Sequence, residues 1–134
     1  GGQVQLMGFV SNVQQVYMEM DLLCFPSHLD AAGRPVFEAA ACGVPSIVAV
    51  SNPTADTIVD GETGICIPYS DPYLLADSIE TMYHDRDKLT TLGQNARKLA
   101  ERNFDIENNG RKVLALYQDL LGECALTTAV DDSR

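Results

Sequence analysis

Apolar positions along this chain fall either in short unbroken runs or at the three-to-four-residue spacing of a helix. Residues 22–25 and 47–50 form two such runs, and neither alternates between apolar and polar positions. Strands that are buried on both faces of a parallel sheet have this composition. Between the runs, helical spacing connects Val36, Phe37, Ala40 and Ala41. Pro35 suits the start of this helix and Gly43 its end, so the segment predicts a strand, a loop, a helix and a strand.

The flanking segments predict the same alternation of strands and helices. A short strand is expected at residues 4–7, followed by a helix to about Met20 and, later, by a strand at residues 65–68. Asp71 and Pro72 then form a helix start, because Asp can cap free N–H groups and Pro needs no N–H partner there. Strands alternating with helices predict an α/β fold with a Rossmann-like parallel sheet and flanking helices.

Two more helices are expected before the polar C-terminus, and the last of them is predicted to end at Gly122. With 134 residues, the chain can form one domain with a sizeable core. The pattern therefore predicts one domain at residues 1–122 and a flexible tail at residues 123–134.

Composition narrows the classes of partner. The formal net charge of −10 argues against binding to nucleic acid or to an anionic membrane surface. The sequence shows neither a signal peptide nor an apolar run long enough to span a membrane. Four cysteines, Cys24, Cys42, Cys66 and Cys124, lack metal-site spacing and are expected to be reduced, mostly core thiols in a cytoplasmic protein.

The loop at residues 27–34 is the candidate ligand site, because the carboxyl ends of parallel strands form the ligand-binding edge of such sheets. The loop leads into a helix N-terminus, where free N–H groups favour an anion such as phosphate. Arg34 lies at this point, and no other Lys or Arg precedes Arg86. A cation at this position is suited to bind a diphosphate. The alternative is that Arg34 is a solvated loop residue without a ligand. For His28, an exposed or indirect role is expected rather than catalysis.

Glu38 lies about one turn into the same helix. Helical side chains point toward the helix N-terminus, so its carboxylate can overhang the loop. The alternative is that this carboxylate only complements the helix dipole. Both interpretations stay open on the residues alone.

The run PS-x-x-D-x-x-G-x-x-x-x-E-A-x-A-C-G-x-P resembles the donor-site segment of retaining, nucleotide-sugar-dependent glycosyltransferases of the GT-B fold, family 4 type. That family usually has two glutamates separated by seven residues, with a Gly-aromatic-Gly turn after the first. Here Asp30 replaces the first glutamate, Ala31 and Ala32 replace Gly-aromatic, and Gly33 and Glu38 match. The resemblance extends from about residue 4 to residue 121.

The resemblance implies part of a GT-B C-terminal domain that lacks its first βα units and the N-terminal acceptor domain. The implied reaction, of hexosyltransferase type, transfers a sugar from a nucleoside diphosphate to an acceptor hydroxyl, with no cofactor besides this substrate and no metal. Asp30 would bind donor-sugar hydroxyls and Glu38 the ribose. The candidate donor-sugar ligands are Asp30, Ala31, Ala32 and Gly33, and the candidate nucleotide or diphosphate ligands are Ser27, Arg34 and Glu38. No catalytic residue is assigned, and the fragment alone is expected to be inactive.

The family usually has a glycine pair after the next strand, where this chain has Asn52 and Pro53, followed by Asp56. Pro53 cannot adopt left-handed backbone angles, which argues against a close backbone approach to phosphate. The main alternative function is a non-catalytic α/β module that binds a nucleotide or a partner, which is favoured because the family's acceptor-binding domain and its usual basic residues are not seen in this sequence. A flavodoxin-like regulator also fits the fold but leaves the spacing of Asp30 and Glu38 unexplained.

The expected strand at residues 4–7 needs a neighbour, because unpaired strand N–H and C=O groups are costly. Direct pairing with residues 22–25 is the prediction. A second copy of the chain, giving a homo-oligomer, or a larger particle are the alternatives.

Overall fold

A computed structural model describes residues 3–29, 31–68 and 71–131, with side chains described up to residue 121. Eight helices and strands occur in this part of the chain. In order they are α1 (Val13–Glu19), β1 (Leu23–Phe25), α2 (Arg34–Ala41), β2 (Ser46–Ala49), β3 (Gly64–Ile67), α3 (Pro72–His84), α4 (Arg86–Asn103) and α5 (Ile106–Asp131).

The three strands form a parallel sheet in the order β1-β2-β3. In register, Leu23 pairs with Ser46, and Ser46 pairs with Gly64. Every residue of the central strand β2 is buried, as expected for an unbroken apolar run inside a parallel sheet. The predicted α/β fold with a Rossmann-like parallel sheet is confirmed.

Helices cover both faces of the sheet. On one face, Val36 of α2 packs with Val48 of β2. On the other, Ile47 packs with Leu75 of α3. Neighbouring residues of β2 therefore pack into cores on opposite faces of the sheet, because side chains alternate across a strand. The Asp71 carboxylate caps α3 by accepting from two backbone N–H groups, as the sequence predicted.

Helix α4 packs closely against α2, where Ala96 and Ala100 meet Ala40. Gly93 lies at this contact, and a Cβ atom there would press on the backbone carbonyl oxygen of Gly43. The glycine that weakens α4 by propensity is thus what lets the helix approach the end of α2.

Residues 4–7 form no strand, so their predicted pairing with residues 22–25 is wrong. The side chains of Val4 and Leu6 are 85% and 94% exposed. Strand β1 pairs only with β2 within the described part of the chain. A strand without a neighbour leaves its own N–H and C=O groups unpaired, so this segment stays irregular and hydrated.

The predicted helix end at Gly122 is also wrong, because α5 continues to Asp131. A glycine inside a helix costs only about 1 kcal/mol, and it ends a helix only when it adopts a capping conformation. The flexibility of residues 123–134 stays a prediction.

The thiols of Cys24, Cys42 and Cys66 are free, but none is fully buried. Cys24 is exposed, so its assignment to the core is wrong. The reason is its position on an edge strand, where only one neighbour covers it. Burial, followed by the charge of Asp60, raises the pKa of Cys66 to about 11. The side chain of Cys124 lies outside the described residues.

Candidate active site

The loop after β1 folds back on the strand that precedes it. The Ser27 N–H donates to the Phe25 carbonyl at 2.9 Å, and the Leu29 N–H donates to Ser27 Oγ at 3.1 Å. The Ser27 hydroxyl therefore shapes the loop, and it can still donate its own hydrogen to a ligand. Asp30, the predicted ligand of the donor sugar, lies outside the described residues.

Gly33 brings the end of this loop against the sheet. It is the N-cap residue of α2, and a Cβ atom here would lie 2.7 and 2.8 Å from two atoms of the Phe25 ring. Only glycine fits such a contact without displacing the ring. The fold thus explains Gly33 by packing, and its proposed contact with a donor sugar stays a prediction.

Arg34 and Glu38 meet on the surface of α2. Arg34 Nη2 lies 3.3 Å from Glu38 Oε1, and the two side chains are 89% and 38% exposed. Both residues lie on α2, as the sequence predicted, and their roles as nucleotide or diphosphate ligands stay predictions. Exposed i,i+4 pairs of this kind contribute well under ~1 kcal/mol, so Arg34 can leave Glu38 at little cost.

The second carboxylate oxygen of Glu38 accepts a hydrogen bond from Tyr17 of α1. The Tyr17 hydroxyl lies 3.0 Å from Glu38 Oε2, and the tyrosine is only 6% exposed. Burial raises the pKa of Tyr17, and the hydrogen bond and charge of Glu38 add to it, followed by the charge of Cys42. Arg34 acts in the opposite direction.

Tyr17 is a site residue that the sequence did not reveal. Its apolar spacing in α1 predicts a core residue, and the ring does pack beside Ala39 and Val44. The hydroxyl nevertheless extends past this core to Glu38. The two residues are 21 positions apart on different helices, so no local pattern connects them.

The loop after β2 adds a second wall to the site. Ala31 and Ala32 line a depression of about 210 Å³ together with Asn52, Pro53 and Thr54. Both alanines predicted to contact a donor sugar therefore border an open space, although Ala32 also packs against the core beside Val36 and Val48. Asp56 is exposed, and its carbonyl accepts from the Asn103 side chain at 3.0 Å, which connects this loop to α4.

A separate cavity of about 250 Å³ opens on the α3 side of the sheet. Its lining includes Ser27 and His28 from the loop, Ala49 and Ile67 from the strand ends, and Asp71 from the cap of α3. The candidate ligands consequently do not line one pocket. Ser27 borders this cavity, whereas Ala31 and Ala32 border the depression near the loop after β2.

Within the described residues, no group of three or more His, Cys, Asp or Glu side chains is arranged to hold a metal ion. In the same part of the chain, no helix has the length and apolar content needed to cross a membrane. Among the described residues of α2, the site offers the Glu38 carboxylate, the exposed Arg34 guanidinium and the helix N-terminus.

Residues 1–99 match the family model of glycosyl transferases group 1. The capsular polysaccharide biosynthesis glycosyltransferase CapM of Staphylococcus aureus is 32% identical over 120 residues, which covers 90% of this chain and 32% of that protein.

Solved structures agree in fold. The Anabaena protein HepE, in complex with UDP-glucose, has a TM-score of 0.78 and 25% identity and covers 88% of this chain and 33% of that one. The C-terminal domain of a group 1 glycosyl transferase (LpcC) from Francisella tularensis matches in fold, with a TM-score of 0.66 and 23% identity, covering 75% of this chain and 53% of that one.

The chain spans about a quarter to a third of the length of the curated relatives it matches. Its matched region nevertheless includes the sheet, the loop after β1, and α2 with Arg34 and Glu38. Because the family model matches most of its length, the chain belongs to the glycosyl transferases group 1 family.

Proposed function

We propose that this chain is a C-terminal, donor-binding segment of a retaining glycosyltransferase of the GT-B fold, family 4 type. Its role is to bind a nucleoside-diphosphate sugar whose sugar passes to an acceptor hydroxyl. The observation that carries the proposal is the Glu38 carboxylate, which is partly exposed one turn into α2, beside the loop that follows β1. This is the position at which the family resemblance puts the ribose ligand.

At the nucleotide end, Glu38 accepts hydroxyl hydrogens, since an ionised carboxylate has two oxygens and no donor. Arg34 adjoins it and is almost fully exposed, so its guanidinium can turn from Glu38 to a diphosphate. A charge-assisted bond to phosphate is stronger than the exposed ion pair that it replaces.

At the sugar end, the loop containing Asp30, Ala31, Ala32 and Gly33 borders the donor sugar. The depression beside Ala31 and Ala32 supports this assignment because it lies next to the start of α2. The small alanine side chains leave room that a larger residue would fill. The carboxylate of Asp30 would accept hydroxyl hydrogens of the sugar, as the family resemblance implies.

The leaving diphosphate develops negative charge, and catalysis requires positive potential that is already in place. The N-terminus of α2 and Arg34 supply part of this potential without a metal ion. The acceptor-binding domain belongs to the rest of a longer protein. A cytoplasmic location is part of the same proposal, supported by the free thiols of Cys24, Cys42 and Cys66 among the described residues.

Isothermal titration with UDP, GDP and ADP tests the proposal. UDP is the first probe, because HepE was solved with UDP-glucose. We expect Glu38→Ala and Arg34→Ala each to weaken binding of the preferred diphosphate by ~1–3 kcal/mol, the usual cost of losing a hydrogen bond to a charged group.

Glu101→Ala is the matched control. Glu101 forms an i,i+4 pair with Arg97 on α4 at 2.9 Å and is 60% exposed, so the same kind of pair is removed elsewhere. We expect it to bind the diphosphate like the parent chain. If Glu38→Ala and Arg34→Ala also bind the diphosphate like the parent, both residues contribute only to the stability of α2, and the proposed site is wrong. Binding without turnover in the full-length protein would support the non-catalytic alternative.

A further inference from the structure

The two oxygens of the Glu38 carboxylate have unequal partners. Oε2 accepts from the hydroxyl of Tyr17, whose side chain is held in the core by Ala39 and Val44. Oε1 faces only Arg34 within the described residues, at 3.3 Å, and Arg34 is 89% exposed. One oxygen is therefore anchored to the core, and the other is paired with a side chain that can move away.

Such an anchor removes rotational freedom from a long side chain before a ligand arrives. A free glutamate on a helix surface samples several rotamers, and a ligand must select one of them. The Tyr17 hydroxyl restricts this choice from a different helix, because α1 packs directly against α2. Binding groups that are fixed by a second layer of hydrogen bonds lose less freedom when the ligand binds.

We propose that Tyr17 is a positioning residue that holds the Glu38 carboxylate so that Oε1 faces the ribose of the bound nucleotide. This inference rests on the proposed function, since it takes Glu38 as the ribose ligand. Tyr17 itself does not contact the nucleotide, and its whole contribution to binding passes through Glu38.

A double-mutant cycle with UDP as the probe tests this statement in the 134-residue chain. Tyr17→Phe keeps the buried ring and removes only the hydroxyl. We expect about fivefold weaker UDP binding, the loss typical of one hydrogen bond. In the Glu38→Ala background, Tyr17→Phe should have no further effect on UDP binding. Tyr83→Phe, which alters a tyrosine that is 71% exposed on α3, should bind UDP like the parent.

Two results would overturn the role of Tyr17. One is UDP binding by Tyr17→Phe equal to that of the parent. The other is an equal loss with and without Glu38, which would show that Tyr17 acts through the fold. In contrast, a parent chain that binds neither UDP nor another diphosphate would refute the proposed function itself, and with it any role of Tyr17 in binding.

A measurement without ligand tests the anchor separately. The phenolate absorbance of Tyr17, obtained as the difference between the parent and Tyr17→Phe, should titrate above the ordinary value of 10.0. Glu38→Gln removes the neighbouring charge, so the midpoint should fall toward that value. Arg34 and Cys42, the other titratable neighbours, remain in place. An unchanged midpoint in Glu38→Gln would show that the two side chains are not coupled.

Discussion

Replacing Gly93 with alanine should destabilise this fold, although a change from glycine to alanine inside a helix usually stabilises a protein. Gly93 lies inside α4 and faces the segment that ends α2. An added Cβ would press on the Gly43 carbonyl oxygen and lie 3.2 Å from Pro45 Cδ. Gly43 has a φ of 78°, and its N–H donates to the Ala40 carbonyl at the end of α2, so this backbone cannot move without disturbing α2.

Two opposing effects decide the magnitude. Alanine improves helix propensity over glycine by about 1 kcal/mol. Overpacking a close contact costs typically ~1–3 kcal/mol, and the upper part of that range, ~2–3 kcal/mol, applies here because the obstacle is backbone rather than a flexible side chain. We therefore expect a net loss of ~1–2 kcal/mol in the free energy of unfolding. For a domain of this size, that loss lowers Tm by roughly 4–10 °C.

Gly110→Ala is the matched control, because Gly110 is also helical but has nothing within 4 Å of an added Cβ. Urea and thermal unfolding followed by circular dichroism should show that Gly110→Ala is as stable as the parent or more stable, by up to ~1 kcal/mol. If Gly93→Ala is stabilised to the same degree, the close approach of α4 to the end of α2 is not real. Such a result would refute the reasoning.

The remaining predictions concern activity and thiol chemistry. The 134-residue chain should transfer no sugar, because it spans only about a quarter to a third of its curated relatives and holding donor and acceptor together supplies ~7–11 kcal/mol of such a reaction. Radiolabelled transfer above the uncatalysed rate would contradict this expectation. Cys66, with a pKa of about 11, should react with iodoacetamide far more slowly at pH 8 than in the urea-unfolded chain, since the thiolate is the nucleophile. Because burial disfavours the thiolate in the folded state, the free energy of unfolding should fall as the pH rises from the ordinary thiol pKa of 9.0 to about 11. Equal alkylation rates in both states would refute the burial of this thiol.

Local signals in the sequence were sufficient for the central elements. The run at residues 47–50 predicts β2 because a strand covered on both faces must be apolar throughout. Asp71 and Pro72 predict the start of α3 because a cap depends only on the residues beside it. The contact between Arg34 and Glu38 is equally local, since residues four apart on a helix are neighbours.

Features that depend on distant partners needed the tertiary structure. Residues 4–7 have the composition of a strand but form none, because a strand exists only when another strand pairs with it. Cys24 has an apolar sequence context, yet its position at the sheet edge exposes it.

The candidate site and the packing of α4 likewise depend on contacts that the sequence alone does not reveal. Sequence alone assigned Tyr17 to the core, but only the packing of α1 on α2 brings its hydroxyl to Glu38. Gly93 is unfavourable in a helix by propensity, and only the close approach of α4 to Gly43 explains why a glycine fits there. The sequence by itself determined the elements whose stability is local. The tertiary structure decided which side chains meet, because such contacts depend on how separate elements pack rather than on their spacing along the chain.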